Sequence, residues 1–405
     1  LRSLRVGLAL EAGLAIVFLA VLLDRLSEAL SERNRAGVVV ENGRLFPKSW
    51  QTTQLVVWLE DRLDKVYTTA GLGLARLARL SRSEFATRHA YLFASLVLLG
   101  GLLWLGRLLD WTIFPGAWRL NLQDPVDTAV LWMRDNLSEQ QVGPLLLGTR
   151  PLSNFIIIQL LDPLDRLLQE QLSWPVILLL VGLLGYWVSG WRLAVGGTAV
   201  RFAVGLLGMW ELAMVTLSQV IVAVFFSLLI AIPLGIWAGR NDTVTAVLRP
   251  ILDFLQTIPA FVYLVPVVML FNVGRVPGIM ASVLYALPPA IRLTNLGIRQ
   301  ASPEAVEAAR AFGSTSRQLL FKVQLPLALP AIMTGINQTV MMVLAMVVVA
   351  GMVGGAGLGL EAVNGLGRNQ LGQGLEAGVA IVILAVVIDR LLLAWAARSS
   401  VKSER

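Results

Sequence analysis

Long apolar runs, each closed by polar or charged residues, dominate the chain. A hydrocarbon core of about 30 Å takes roughly 20 residues of helix. Residues 7–23, 90–109, 175–191, 193–209, 213–239, 257–273, 277–297, 328–350 and 375–396 meet or approach that length. In lipid the backbone must satisfy its own polar groups, and these runs are too long for barrel strands, so the pattern predicts spanning helices. Pro233 and Pro266 fall inside two of them, where neighbouring helices re-satisfy the freed backbone. Arg201 falls near the middle of 193–209. A charge at that depth costs about 2.5–3.5 kcal/mol, so Arg201 either faces the bundle interior or snorkels.

Two further stretches carry apolar residues at helical spacing but are broken by charge. Residues 151–172 (PLSNFIIIQLLDPLDRLLQEQL) read as an amphipathic helix, lying on the membrane or packed on the bundle's edge. Residues 54–82 read as a similar helix in a linker.

Composition narrows the class. Of 405 residues, 56% are hydrophobic and 15% charged, and the mean hydropathy is +0.72. Soluble domains carry about 25% charge, which argues against a soluble enzyme. The net charge of +7 is distributed as membrane loops require, and not as a nucleic-acid surface. Residues 24–89 hold 11 Lys/Arg and 8 acids, whereas 110–174 hold 4 Arg and 8 acids. The first loop is therefore expected in the cytoplasm and the second outside. Alternation then puts 240–256, 298–327 and the tail 397–405 inside, each with its basic residues. The first apolar run has Glu11 within it and no small-residue cleavage site, so it reads as a span and not as a cleaved leader.

Much chemistry is missing. The chain has no Cys and one His (His89), which leaves no thiolate metal site, no His-rich one and no mechanism that needs two imidazoles. None of its four Lys follows a Gly, so no phosphate-cradling loop is expected. The run Gly351–Gly359 (GMVGGAGLG) has no preceding strand and reads as a flexible external turn. No cofactor is implied. The candidate spans hold almost no acids near the midplane, where an ion-coupled transporter places its coupling group. The energy source is thus expected in another subunit.

The loop 298–327 is the most informative. Ser302-Pro303-Glu304 has the form of a helix start: a capping hydroxyl, Pro in the first turn, and an acid at the positive dipole end. Glu307-Ala308-Ala309 follow, and Gly313 is placed to end the helix in a left-handed conformation. Ser314 or Thr315 caps a second short helix, and Pro326 opens the next span.

These residues resemble the permease subunits of ABC importers, which carry E-A-A-x-x-x-G, nine residues, then I-x-L-P. Here the match is Glu307-Ala308-Ala309, Gly313 and Val323-Gln324-Leu325-Pro326, with Val for Ile the one departure. The likeness extends to the glycine betaine/proline betaine permeases through 233–237 (PLGIW), 255–266 (LQTIPAFVYLVP), 286–292 (ALPPAIR), 321–326 (FKVQLP) and 335–339 (GINQT), covering roughly residues 120–391. The resemblance implies an all-α polytopic membrane protein with the ABC importer permease fold: seven core helices in 175–396, here preceded by two more. It implies a bacterial inner-membrane permease that is not itself an enzyme and that imports glycine betaine- or proline betaine-type solutes for osmoprotection. Its implied partners are a cytoplasmic ABC ATPase dimer docked on Glu307, Ala308, Ala309, Gly313, Leu325 and Pro326, an external substrate-binding protein, a second permease domain and membrane lipid. A permease for another small solute such as an amino acid, or an ion-coupled transporter, is the alternative. Asn337 and Gln338 are either translocation-path groups or interhelical hydrogen-bond partners.

The front of the chain repeats its end. Residues 7–26 (GLALEAGLAIVFLAVLLDRL) match 372–391 (GQGLEAGVAIVILAVVIDRL) at 14 of 20 positions, including Glu11/Glu376 and the Asp-Arg pairs at 24–25 and 389–390. Residues 1–26 therefore read as the last helix of an earlier permease copy, 27–89 as a cytoplasmic linker, 90–109 as the extra crossing that tandem copies need, and 110–174 as the external amphipathic segment.

Overall fold

A computed structural model of the protein describes residues 90–109, 123–137, 140–142 and 145–403, with a few isolated positions before them. The repeat at 7–26 and the linker 27–89 lie outside the described residues apart from those positions. The chain divides into two compact units, one formed by Arg25–Asn121 and the other by Leu1–Asp24 with Leu122–Arg405. In the first, the expected crossing is an apolar helix, α1 (Ala90–Leu108).

The second unit opens with α2 (Gln123–Leu137) and a short hairpin, β1 (Gln140–Val142) against β2 (Leu145–Leu147). Those are the sole strands among the described residues; everything after them is helical. The helices are α3 (Thr149–Gln171), α4 (Trp174–Ser189), α5 (Trp191–Leu206), α6 (Trp210–Arg240), α7 (Asp242–Thr257), α8 (Ala260–Phe271), α9 (Arg275–Arg299), α10 (Pro303–Ala311), α11 (Ser316–Gly351), α12 (Leu358–Gly367) and α13 (Leu371–Ser403). Each of the seven apolar stretches in 175–396 coincides with a helix: α4, α5, α6, α8, α9, α11 and α13. By length and composition α6, α9, α11 and α13 can each cross a membrane. At 1.5 Å per residue, the 16-residue α4 and α5 reach only about 24 Å. Gly190, at φ 91°, turns one sharply into the other. Helix α8 is shorter still because Pro259 drives Ile258 into an extended conformation, and the chain bends 102° between α7 and α8.

Helix α9 is the centre of the bundle, with 72% of its apolar window buried against 28–44% for the other three long helices. Small residues let its neighbours approach, as membrane helices require. A Cβ on Gly235 of α6 would stand 2.5 Å from the Thr294 Cβ of α9. Val276, Ile279, Val283 and Ile291 of α9 join Val340, Val343 and Leu344 of α11 and Val220 and Val222 of α6 in the main core.

Two open questions from the sequence are settled by packing. The amphipathic stretch, α3, is docked on the bundle. Ile156 and Leu161 are fully buried in the main core, and Leu168 in a second cluster with Val204, Met214 and Leu358. Its polar face is used as well: Asp165 pairs with Arg275 of α9 at 2.7 Å and accepts a 2.5 Å hydrogen bond from the Ser218 hydroxyl of α6. Arg201 faces the bundle interior. Its guanidinium lies 5.3 Å from the Trp210 ring centre and donates to the Met214 sulfur at 3.7 Å, while Nη1 has no hydrogen-bond partner among the described residues.

The Asp165–Arg275 pair makes a specific prediction. Removing one member leaves the other charge half-buried and unpaired, which costs more than the pair itself contributes. Asp165→Asn should destabilise the detergent-solubilised protein by about 2 kcal/mol, read as a lowered thermal midpoint. Arg275→Met combined with Asp165→Leu should recover most of it. Equal melting of parent and Asp165→Asn would show that α3 is held by its apolar face alone.

One expectation is corrected. The glycine-rich run after α11 is not a flexible turn. Its residues are wedged between helix backbones: a Cβ on Gly359 would fall 2.1 Å from the Val347 carbonyl oxygen, and one on Gly357 2.4 Å from the Thr216 hydroxyl. The Leu358 amide donates to Thr216 Oγ1 at 2.8 Å, and Gln219 Nε2 donates to the Ala356 carbonyl at 2.9 Å. Glycine is there for close approach, which sequence composition does not distinguish from looseness.

Candidate functional site

The loop between α9 and α11 stands at one end of the bundle, and its base is clamped by one side chain. Arg299, the last residue of α9, pairs with Asp242 at 2.7 Å and donates to the Ala238 carbonyl at 3.0 Å, to Thr245 Oγ1 at 2.9 Å and to Asn295 Oδ1 at 2.8 Å. That fixes the end of α9 to the α6–α7 junction. Beside it, Arg292 pairs with Asp253 of α7 at 2.5 Å. On the far side, Leu320 is buried with Ile298, Ala328 and Ile332.

Between these anchors stands α10, nine residues without one buried side chain. A helix this short is marginal by itself, so its caps decide whether it forms. The Ser302 hydroxyl accepts from the Ala305 amide at 3.3 Å, and Pro303 occupies the first turn. Ser302 also donates to Glu304 Oε2 at 2.6 Å, and this hydrogen bond, with one to the backbone, holds the Glu304 carboxyl below its usual range. At the other end Gly313 adopts φ 76°; its amide donates to the Arg310 carbonyl and that of Ser314 to the Ala309 carbonyl. This left-handed exit satisfies carbonyls that the helix leaves open. Of the two candidate caps for the next helix, Thr315 is used, in a reciprocal pair with Gln318.

Glu307 and Ala308 are exposed on α10, Ala309 is half-buried, and Gly313 has open space around it. Leu325 packs against the cluster at the loop's base, while Pro326 is exposed. Pro326 stands in the first turn of the α-helical stretch Leu325–Gly351, as its sequence position suggested. It sits within α11, directly after a wide π-type stretch, Leu320–Gln324. Proline lacks the amide that the ladder needs, and the wider turn absorbs the loss.

Phe312, between Ala311 and Gly313, belongs to the same loop, and the motif spacing does not single it out. Its ring is 90% exposed at the tip of the loop, with Phe321 63% exposed nearby in sequence. A large aromatic directly before a helix-ending glycine, in an otherwise polar loop, is the signal that marks it. Arg299 reads in the sequence only as a loop charge, because its four partners come from α6, α7 and α9 and meet only in the folded chain.

Asn337 and Gln338 are not brought together. Asn337 Nδ2 donates to Asp389 Oδ1 of α13 at 3.0 Å, and its own Oδ1 is buried with no hydrogen-bond partner among the described residues; Gln338 is exposed on another face. Asn337 therefore links α11 to α13. Among the described residues no group of three or more His, Cys, Asp or Glu is placed to hold a metal ion.

Residues 231–401 match the family described as binding-protein-dependent transport system inner membrane component. The chain is 42% identical over 291 residues to the glycine betaine/proline betaine transport system permease protein ProW of Escherichia coli (strain K12), covering 70% of this chain and 81% of that protein. It is 47% identical over 219 residues to the glycine betaine transport system permease protein OpuAB of Bacillus subtilis (strain 168), covering 54% and 78%. It is also 41% identical over 236 residues to the trimethylamine N-oxide transport system permease protein TmoV of Ruegeria pomeroyi, covering 58% of this chain but 36% of that longer protein.

Proposed function

The chain belongs to the binding-protein-dependent ABC import permeases, in the group of the glycine betaine/proline betaine systems, and from that premise we propose how it works. It is the membrane-spanning permease subunit of an ATP-driven importer of compatible solutes, a multi-pass inner-membrane protein, and hydrolysis of ATP falls to a separate subunit. The family implies a cytoplasmic ATPase and a substrate-binding protein as partners. The solute is a small molecule built on a methylated nitrogen, of the glycine betaine and proline betaine type, as the names of its relatives share. A second permease domain completes the pore, supplied by another copy or by the same polypeptide; the recurrence of 372–391 in 7–26 favours the latter. The carboxy-terminal tail and α10 face the cytoplasm, in keeping with the charge of the loops.

The observation that carries this reading is α10 itself: a capped, rigidly based helix with no side chain buried in its own protein. Such a helix is built to be covered by something else. Closure of two ATPase subunits on ATP would move the paired α10 helices and, through the Arg299 clamp and Leu320, the ends of α9 and α11. Co-expression with the ATPase and binding protein, reconstitution in liposomes and measurement of glycine betaine uptake test it. Uptake should require both ATP and the binding protein. Failure of any ATPase to co-purify, together with uptake driven by an ion gradient alone, would overturn it.

Phe312 gives a sharper prediction. Exposed aromatic anchors are typical hot spots, and truncating one costs about 2 kcal/mol of binding. Phe312→Ala should weaken capture of the ATPase about 30-fold, and Glu307→Lys should weaken it too by reversing charge on the same helix. Unchanged capture by both variants would place the ATPase contact elsewhere.

A further inference from the structure

At the end of the bundle opposite α10, the sharp bend between α3 and α4 leaves a cavity. The bend is 102°, and the space it opens, about 910 Å³, is closed by the last residues of α5 and the first of α6. Three aromatic rings line it: Trp174, Phe202 and Trp210. Trp174 and Phe202 lie 6.2 Å apart, tilted at 44°, so that they form a corner and not a stack. Two carboxylates, Glu170 and Glu211, line it as well, and among the described residues no Lys, Arg or His does. The chain carries a net charge of +7, yet among the described residues the ionisable groups lining this cavity are both acids, which favours a cationic guest.

The chemistry of this lining is specific. Aromatic faces attract a cation most strongly when it is large and weakly hydrated, which describes methylated ammonium groups and not sodium or calcium. Carboxylates add charge without the rigid, close-packed oxygen shell that a divalent metal demands. Arg201 helps hold the site in shape: buried to 2% exposure, it lies against Trp210 without itself lining the cavity.

We propose that this cavity binds an ammonium head group, with Glu170 and Glu211 supplying the charge and Trp174, Phe202 and Trp210 the faces. Two sources share that chemistry: a methylated-ammonium solute on its way to the pathway, or the trimethylammonium head group of a choline lipid. The binding chemistry stands on the cavity alone, and only its assignment to a transported solute rests on the transport reading above.

The test uses the permease with its ATPase in nanodiscs of phosphatidylglycerol, which carries no amine. Tryptophan fluorescence is followed while tetramethylammonium chloride is added, with sodium chloride as the ionic-strength control. A saturable change specific to tetramethylammonium is expected. The Glu170→Gln/Glu211→Gln double variant, which keeps every tryptophan and alters only exposed side chains, should raise its midpoint about tenfold. Trp174→Leu, which keeps bulk but removes a π face, should raise the midpoint about fivefold. No saturable response in the parent, or superimposable curves for parent and double variant, would overturn the site. Competition by glycine betaine identifies the solute as occupant, and competition by phosphatidylcholine added to the nanodiscs identifies the lipid. Competition by neither would refute an ammonium site of use to the protein. Because binding is read without transport, loss of uptake in the reconstituted system would count against the transport reading and leave this result untouched.

Discussion

Gly359→Ala should leave almost no folded protein. The added methyl would lie 2.1 Å from the Val347 carbonyl oxygen and 2.8 Å from its carbon, inside any van der Waals contact. Overpacking usually costs about 1–3 kcal/mol because a side chain can give way. Here the obstacle is helix backbone, and neither side can retreat. Gly351 on α11 meets the Gly359 carbonyl at 2.4 Å from its own would-be Cβ, while the Leu358 amide and Ala356 carbonyl are tied to Thr216 and Gln219 of α6. The cost should exceed about 4 kcal/mol, the range reserved for such failures. Yield of monodisperse protein and its thermal midpoint in detergent measure it. Gly367→Ala provides the contrast: at the end of α12, with nothing within 4 Å of the new Cβ, it should be neutral or slightly stabilising. Similar behaviour of the two variants would mean that α11 and α12 are not in backbone contact.

Gly313→Val should act in the opposite manner, sparing the fold and abolishing coupling. Open space surrounds Gly313, so no clash arises, but φ 76° is a conformation that a β-branched residue adopts at a cost of about 1–3 kcal/mol. Helix α10 has no buried side chains with which to resist, so the exit turn rearranges and the helix swings from its position. The protein should still reach the membrane and melt within a few degrees of the parent. Glycine betaine uptake in the reconstituted system should fall by more than about tenfold. Gly313→Asn should retain much more uptake, since Asn tolerates the left-handed region. Equal uptake by the Val and Asn variants would remove backbone conformation as the cause.

Much of the bundle was legible from hydrophobic periodicity because lipid imposes one rule on every spanning segment. Each apolar stretch of the main unit became a helix, and Ser302, Pro303 and Gly313 act as local signals whose meaning does not depend on distant residues. What periodicity could not measure was length after bending. Pro259 cuts the run 257–273 down to α8, Ala260–Phe271, and Gly190 sets the boundary between α4 and α5, which starts two residues before the run that predicts it. Pro326 does stand at the start of the α-helical stretch Leu325–Gly351, but the π-type turns before it, Leu320–Gln324, join that stretch to Ser316–Leu319 without a break, which no local signal announced.

The sequence by itself determined the class of the protein, because an apolar excess, an absent phosphate loop and the Glu307–Gly313 spacing are local facts that folding does not alter. The tertiary structure alone decided which polar residues have partners. Asp165 meets Arg275 across 110 positions, Gln219 reaches the Ala356 carbonyl across 137, and Asn337 turns to Asp389 across 52. The physical reason is common to all three. Within a bundle, a polar side chain must find its hydrogen bond on whichever helix lies beside it, and the neighbour is fixed by packing of small residues such as Gly235 and Gly359, not by distance along the chain.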